Sequence, residues 1–233
     1  MALDNKHNIS VGKSHYQDSS FRQLTGKAEY IDDIPLAENA LHGALILSTI
    51  PSGKIISIDT KKAKDIDPSI TIIMAKDIPG KNDIAPIFED EPIFAEKTVT
   101  YVGQPIGLIV SSSMERARAA AKEVEVMYKK DKGPILDLES AFKKKSFFLK
   151  PIHFERGKAS EKIKRAPHRL KGSFSIGGQD HFYLETHIAL AIPHENSEFT
   201  IWSSTQHPTE VQHGVSNVLK IPAAKISSKV RRL

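Results

Sequence analysis

The feature that most constrains the fold is a run of three patterned segments between residues 106 and 128. The apolar run near 106–111 predicts a short buried strand. In the alanine-rich stretch that follows, apolar residues recur at helical spacing, namely Met114, Ala117, Ala120, Ala121 and Val124. Val124, Val126 and Tyr128 then alternate as in a half-buried strand. The order predicts an α/β unit, whose crossover should be right-handed if its two strands are parallel.

Three β-rich segments precede this unit and extend it into a domain. They lie at 41–48, 54–60 and 69–75, and a Pro/Gly turn separates the first two. The stretch at 76–94 is dense in proline, glycine and aspartate, which predicts a long irregular loop. We therefore expect an α/β domain at residues 20–130, preceded by an extended polar arm at residues 1–19.

The second half of the chain is organised differently. Residues 131–164 contain Gly133-Pro134 and a run of lysines, which predicts a linker with one helical turn at 138–144. Further on, an alternating strand is expected over 182–192, and the polar turn after it predicts a hairpin. Pro208 opens a predicted helix, and a last strand begins near residue 225.

This second unit, residues 165–233, would hold one hairpin, one helix and one strand without a partner. Such a set has too little surface to cover its own apolar faces, so we expect the start of a domain rather than a complete one. The fold class expected for the whole chain is α+β. Exposed edges of an unfinished sheet would make the unit prone to aggregation.

Composition excludes several kinds of chemistry. The 233 residues include no cysteine, which excludes disulfides, thiolate nucleophiles and iron–sulfur ligation within the chain. The net charge of +5 comes from lysines scattered among acidic residues, so we do not expect nucleic-acid binding. We expect neither a membrane span nor a signal peptide, because no apolar window is long enough, and a cytoplasmic protein follows as the expectation.

The segment most suggestive of a binding site is Gly177-Gly178-Gln179, followed by Asp180 and His181. Paired glycines permit a left-handed backbone or a close approach by another molecule. Gln179 offers two donors and an acceptor without charge, which suits hydrogen bonding to an oxo or carbonyl group. An ordinary turn explains the same residues, so both interpretations stay open at this point.

Five motifs occur in a characteristic order: LTGKAEYIDDIP at 24–35, LHGALILS at 41–48, YVGQPIGLIV at 101–110, GGQDHFYLET at 177–186 and SSTQHPTEVQ at 203–212. From about residue 11 onward the chain resembles the large, molybdenum-binding subunit of xanthine dehydrogenases, in the molybdenum hydroxylase family. The combination of GGQDHFYLE with SSTQHP is highly specific for that family.

The resemblance implies an α/β hammerhead domain followed by the start of a molybdopterin-binding domain. It also implies that Gln179, preceded by Gly177 and Gly178, approaches molybdenum and hydrogen-bonds its oxo ligand. The family hydroxylates hypoxanthine and xanthine to urate with oxygen from water. The implied cofactor is molybdenum–molybdopterin, and the implied partner subunit carries FAD and 2Fe–2S clusters that pass electrons to NAD, in a hetero-oligomer.

The sequence departs from the family pattern at its end. The family continues into a glycine-rich segment with the catalytic glutamate, whereas this chain ends at KVRRL, so we expect no catalytic residue in it and no activity of the chain alone. Two alternatives stay open. One is an aldehyde oxidase or another aza-aromatic hydroxylase, and the other is a non-catalytic module that docks a redox subunit.

Overall fold

The computed structural model describes residues 11–85 and 87–232, so the first ten residues of the predicted arm lie outside the described residues. The helices are α1 Ser20–Leu24, α2 Lys61–Ile66, α3 Met114–Lys122, α4 Leu138–Lys143, α5 Ala159–Arg165 and α6 Pro208–Leu219. The strands are β1 His42–Leu47, β2 Gly53–Asp59, β3 Thr71–Met74, β4 Thr98–Val99, β5 Pro105–Ser111, β6 Glu125–Lys130, β7 Ala189–Pro193, β8 Phe199–Ser203 and β9 Ile226–Lys229. None of the helices in these ranges is long and apolar enough to cross a bilayer.

Two three-stranded antiparallel sheets form the first half of the described chain. The strand order is β1-β5-β3 in one sheet and β4-β2-β6 in the other. Helix α3 packs on β1 and β5 through Ala117 and Ala120, both of which are fully buried. Their small side chains let the helix approach the sheet closely, while Ile106 and Ile109 of β5 fill the core.

The strand–helix–strand segment does not form a parallel crossover. Strand β5 pairs antiparallel with β1 and β3, whereas β6 pairs antiparallel with β2, from Gly53 opposite Lys130 to Asp59 opposite Glu125. Helix α3 therefore connects two different sheets, and the handedness rule for parallel strands does not apply. Periodicity locates a strand but does not determine which strand it pairs with.

A third sheet, in the order β7-β8-β9, lies in the last part of the chain. Strands β7 and β8 form the expected hairpin, and its turn contains Asn196 and Ser197, each with φ of 58°. The strand predicted over 182–192 is wrong in its first half, because the observed strand covers only Ala189–Pro193. Phe182 has φ of 51°, so the chain before β7 leaves the extended conformation that a ladder requires.

The last strand has a partner, contrary to expectation. Strand β9 runs parallel to β8, with Phe199 opposite Ile226 and Trp202 opposite Lys229. Helix α6, which begins at Pro208 as predicted, connects the two strands and packs against β9. This connection makes a parallel pair possible and makes β8 the central strand, whose Ile201 is buried.

Residues 131–171 contain two short helices and no buried side chain. The helical turn expected at 138–144 is α4, and the carboxylate of Asp137 caps it by accepting a hydrogen bond from the Ser140 amide at 2.8 Å. The sequence did not predict α5, because its seven residues include a single large apolar side chain, Ile163, and so show no helical periodicity.

A buried carboxylate joins the end of α2 to β5. Asp67 accepts hydrogen bonds from the Ser69 amide at 2.9 Å, the Ser69 hydroxyl at 2.6 Å and the Ser111 hydroxyl at 2.8 Å. These bonds from Ser69 and Ser111, together with the nearby charge of Arg116, hold the pKa of Asp67 below its ordinary value of 3.8. The ionised form of Asp67 therefore stabilises the native state.

We expect Asp67→Asn to lower the thermal stability near neutral pH and to matter little in acid. When folding lowers the pKa of a carboxylate, the ionised carboxylate stabilises the native state at pH values above its unfolded pKa. That stability is lost as pH falls through the folded pKa. Melting temperatures of both proteins, measured from about pH 7 to about pH 3, should converge below about pH 4. The exposed substitution Asp90→Asn is the control, and a Tm difference that stays constant with pH would contradict the assignment.

Candidate functional site

Three of the sequence motifs meet around one open cavity of about 880 Å³. Its lining residues come from 23–30, 181–187 and 204–206, together with Arg232. Tyrosine and leucine side chains, two histidines, one carboxylate and one guanidinium face it, so the cavity is part apolar and part charged. Contacts of Glu29, Tyr30 and Ile31 with Arg231, Arg232 and Glu185, respectively, bring these segments together around the cavity.

Glu185 fixes the motif GGQDHFYLET against the first half of the chain. Its Oε1 accepts a hydrogen bond from the Ile31 amide at 2.9 Å, across 154 residues of sequence. Ile31 is buried and opens a 3₁₀ turn, in which the Tyr30 amide donates to Asp33 Oδ2 at 2.8 Å. The two carboxylates thus satisfy the free amides at the start of the turn. Glu185 has a structural role here, as a bond between distant segments.

Ser204 fixes the same motif from the side of the third sheet. Its hydroxyl donates to the Thr186 carbonyl at 2.9 Å and accepts from the Ile188 amide at 3.0 Å. The Ser204 amide in turn donates to the Ile188 carbonyl at 3.1 Å. Because these bonds occupy the hydroxyl, Ser204 positions the chain ahead of β7.

Two neighbouring arginines contact residues 29 and 30, and Arg232 also lines the cavity. The Arg231 guanidinium lies 4.9 Å from the centroid of the Trp202 ring and pairs with Glu29 at 3.5 Å. Arg232 lies 6.0 Å from the centroid of the Tyr30 ring, and its Nε is buried without a hydrogen-bond partner among the described residues. Arg232 therefore gives the cavity a positive charge beside an aromatic ring.

Gln179 and its two glycines lie outside the lining of this cavity and are exposed. Neither Gly177 nor Gly178 has φ in the left-handed region, and a methyl group added to either would meet no atom of the described chain within 4 Å. The glycine pair was explained either by a left-handed backbone or by the close approach of another molecule. The first explanation is wrong, because neither glycine has the left-handed backbone that would require it. Within the part of the chain that the structure describes, the Gln179 amide makes no hydrogen bond, so its donors and acceptor are available.

The second glutamine motif forms a turn, as its sequence indicates. Gln104 is buried, and its Oε1 accepts a hydrogen bond from the Thr100 amide at 2.8 Å. Gly103 has φ of 86°, and its amide donates to the Ser48 carbonyl at 2.8 Å. The Ser48 amide donates back to the Gln104 carbonyl at 2.8 Å, which locks this turn to the end of β1.

Two family models match the chain. Residues 25–132 match the a/b hammerhead domain of aldehyde oxidase and xanthine dehydrogenase, and residues 140–233 match the molybdopterin cofactor-binding domain. The chain is 38% identical to the xanthine dehydrogenase/oxidase of Gallus gallus over 226 residues, which cover 96% of this chain and 16% of that protein. The chain belongs to the xanthine dehydrogenase and aldehyde oxidase family. It is also 38% identical to a nicotinate hydroxylase of Emericella nidulans over 237 residues, 99% of this chain and 17% of that protein.

Solved structures of other molybdenum hydroxylases have the same fold. The quinoline 2-oxidoreductase of Pseudomonas putida 86 superposes with a TM-score of 0.79 at 24% identity, over 95% of this chain and 30% of that one. The aldehyde oxidoreductase of Desulfovibrio gigas superposes with a TM-score of 0.74 at 20% identity, over 91% of this chain and 26% of that one. The expected α+β fold, a hammerhead domain followed by molybdopterin-binding chain, is confirmed. The chain spans 16–17% of the length of these two relatives and 26–30% of the length of the two solved structures.

The exposed segment at 177–179 fits a cofactor of the family. The open space beside both glycines and the available neutral amide of Gln179 suit a bulky group that needs hydrogen bonds but no added charge. The sequence argument did not identify Glu185 or Arg232 as parts of the site. The only sequence signal for Glu185 was its position inside the motif GGQDHFYLET. No local sequence pattern indicates that Arg232 lies near Tyr30.

Proposed function

We propose that this chain forms part of an enzyme that hydroxylates hypoxanthine and xanthine to urate at a molybdenum–molybdopterin centre. The support is the 34–40% identity to xanthine dehydrogenases over most of the chain. The observation that carries the proposal is the exposed Gln179 amide, which lies within the residues that match the molybdopterin cofactor-binding domain. The finer assignment to purines rests on the names of these relatives.

Gln179 would hold the cofactor by a hydrogen bond toward the molybdenum centre, and Gly177 and Gly178 would leave room for it. When bound, the cofactor supplies the redox chemistry by which oxygen from water is inserted at an electron-poor ring carbon. A preorganised neutral donor stabilises negative charge that develops during such a reaction. Tyr183 stacks on the His187 ring beside the segment, whereas Phe182 is exposed. Glu185 and Ser204 keep the segment anchored to the first half of the chain and to the third sheet.

The electrons would leave through a partner polypeptide. Because the chain has no cysteine, it cannot ligate an iron–sulfur cluster itself. As the resemblance implies, we propose that the 2Fe–2S clusters and FAD lie on an iron–sulfur/FAD subunit with NAD as its acceptor, in a cytoplasmic hetero-oligomer. In this assignment the chain contributes the hammerhead domain and one side of the molybdenum site.

One alternative has specific support. The nicotinate hydroxylase of Emericella nidulans is as similar to this chain as the xanthine dehydrogenase/oxidase of Gallus gallus, at 38% identity each. An aza-aromatic ring such as nicotinate presents an electron-poor carbon like that of a purine. Relative rates with xanthine, nicotinate and an aldehyde, measured on the complete assembled enzyme, separate the three substrate classes, and a marked preference for either of the last two would overturn the purine assignment.

In the complete enzyme, we expect Gln179→Ala to lower kcat about 100-fold, the usual cost of removing one preorganised donor. Molybdenum and pterin contents, measured by mass spectrometry and fluorescence, should stay unchanged, because the rest of the site would hold the cofactor. Gln17→Ala, at another exposed glutamine, is the matched control and should keep full activity. An unchanged kcat in Gln179→Ala would refute the role proposed for this residue.

A further inference from the structure

Residues 183–188, here called the anchored turn, follow directly after the exposed segment that contains Gln179. The rings of Tyr183 and His187 stack with centroids 5.1 Å apart, and the Tyr183 hydroxyl lies 2.9 Å from His187 Nε2. The Ser204 hydroxyl holds the far end of the turn through the two backbone hydrogen bonds described above. These contacts hold the anchored turn at both ends.

Glu185 joins the anchored turn to the other family domain. It lies within the residues that match the molybdopterin cofactor-binding domain, whereas its partner Ile31 lies within the hammerhead match. Because Ile31 is buried, loss of the carboxylate would leave the Ile31 amide without an acceptor and shielded from water. Glu29, two residues earlier, pairs with Arg231 across the same boundary. The hammerhead domain therefore helps to determine where the anchored turn lies.

The chain between the anchored turn and Gln179 is short. Residues 177–182 are all exposed, and Phe182, with φ of 51°, bends the backbone just before the turn. Gln179 precedes Tyr183 by four positions, so it stays within about 14 Å of the turn even when the chain is extended. A shift of the anchored turn is therefore passed on to Gln179, and a displacement of about 1 Å in a reactive site costs up to about 100-fold in rate.

We propose that Glu185 is a positioning residue that holds Gln179 where it meets the molybdenum centre. This inference rests on the proposed function, which gives Gln179 its hydrogen bond toward that centre. Glu185 acts as the acceptor for the Ile31 amide and takes no part in proton transfer. The group required at residue 185 is therefore an oxygen that reaches Ile31, and the side-chain amide of glutamine supplies one as well.

The test compares Glu185→Ala with Glu185→Gln in the complete enzyme, with xanthine as the substrate. Glu185→Ala should lower kcat about tenfold at unchanged molybdenum content, less than the about 100-fold loss expected for Gln179→Ala, because the amide is displaced rather than removed. Glu185→Gln should keep kcat close to that of the parent enzyme, since it preserves the bond to Ile31. Glu198→Ala, at an exposed glutamate just before β8, is the matched control and should keep full activity.

A double variant shows whether Glu185 acts through Gln179. With Gln179→Ala already present, Glu185→Ala should lower kcat by less than about twofold, because the group that it positions is gone. Equal losses from Glu185→Ala with and without Gln179 would overturn the proposal. Equal losses in Glu185→Gln and Glu185→Ala would also overturn it, because the carboxylate would then act through its charge or as a proton acceptor.

Hydrogen exchange, resolved by mass spectrometry, gives a readout that does not depend on activity. In Glu185→Ala, exchange of the Ile31 and Ile188 amides should speed up, while the β1-β5-β3 sheet keeps its protection. Unaltered exchange would count against the positioning role, because the bond to Ile31 would then not hold the anchored turn.

The outcomes separate this proposal from the proposed function. A loss of kcat in Gln179→Ala with full activity in Glu185→Ala would overturn the positioning role alone. Full activity in Gln179→Ala would refute the role proposed for Gln179 itself, and the positioning role of Glu185 with it.

Discussion

Ile109→Ala is expected to lower the free energy of unfolding of the hammerhead domain by about 4 kcal/mol. Ile109 has no accessible surface and lies on β5, the central strand, opposite Ala44 of β1 and Ile72 of β3. Strands on both sides and helix α3 hold the surrounding backbone in place, so it cannot close over the space left by the shortened side chain. The loss therefore includes both the transfer free energy of the side chain and the cost of a cavity.

Chemical denaturation followed by circular dichroism measures this loss. Leu108→Ala is the matched control, because Leu108 is the next residue on β5 and its side chain is partly accessible on the opposite face of the sheet. We expect a clearly smaller loss for Leu108→Ala. Equal losses at the two positions would contradict the assignment of Ile109 to the fully buried core.

Gly80→Ala is expected to detach helix α6 from the first half of the chain, at a cost of about 3 kcal/mol. The Gly80 amide donates to the Val218 carbonyl at 2.8 Å, and the Lys81 amide donates to the Asn217 carbonyl at 3.1 Å. These bonds satisfy carbonyls at the C-terminal end of α6 that have no partner within the helix. A methyl group at residue 80 would overlap the Asn217 carbonyl oxygen, so the loop must move away and both bonds are lost.

Hydrogen exchange of the α6 amides, resolved by mass spectrometry, reports this detachment directly. Exchange should speed up in Pro208–Leu219 and in the neighbouring β9, while the β1-β5-β3 sheet keeps its protection. Gly172→Ala is the control, because a methyl group there meets nothing within 4 Å. Unaltered exchange in α6 of Gly80→Ala would show that the loop at 80–81 does not hold the helix.

The elements that could be predicted from the sequence are those with a strong local pattern. Apolar runs locate β1, β3 and β5, the alanine-rich period locates α3, and Pro208 marks the start of α6. The elements that were missed are short. Strand β4 has two residues and α2 has six, four of them charged, so neither contains a period that could be recognised. Their formation depends on packing against neighbours rather than on their own sequences.

For the site, the sequence by itself determined the motif residues and, through their order, the family. It identified Gln179 as a neutral hydrogen-bonding group on a glycine pair, and the assignment of this residue to molybdenum remains a proposal. Only the tertiary structure decided that Glu185 reaches the Ile31 amide, that Arg232 lies against Tyr30 and that β9 pairs with β8. Periodicity and turn chemistry act over a few residues, whereas these contacts join segments far apart in sequence. Packing of the whole chain determines which distant segments contact each other, and local sequence patterns do not predict these contacts.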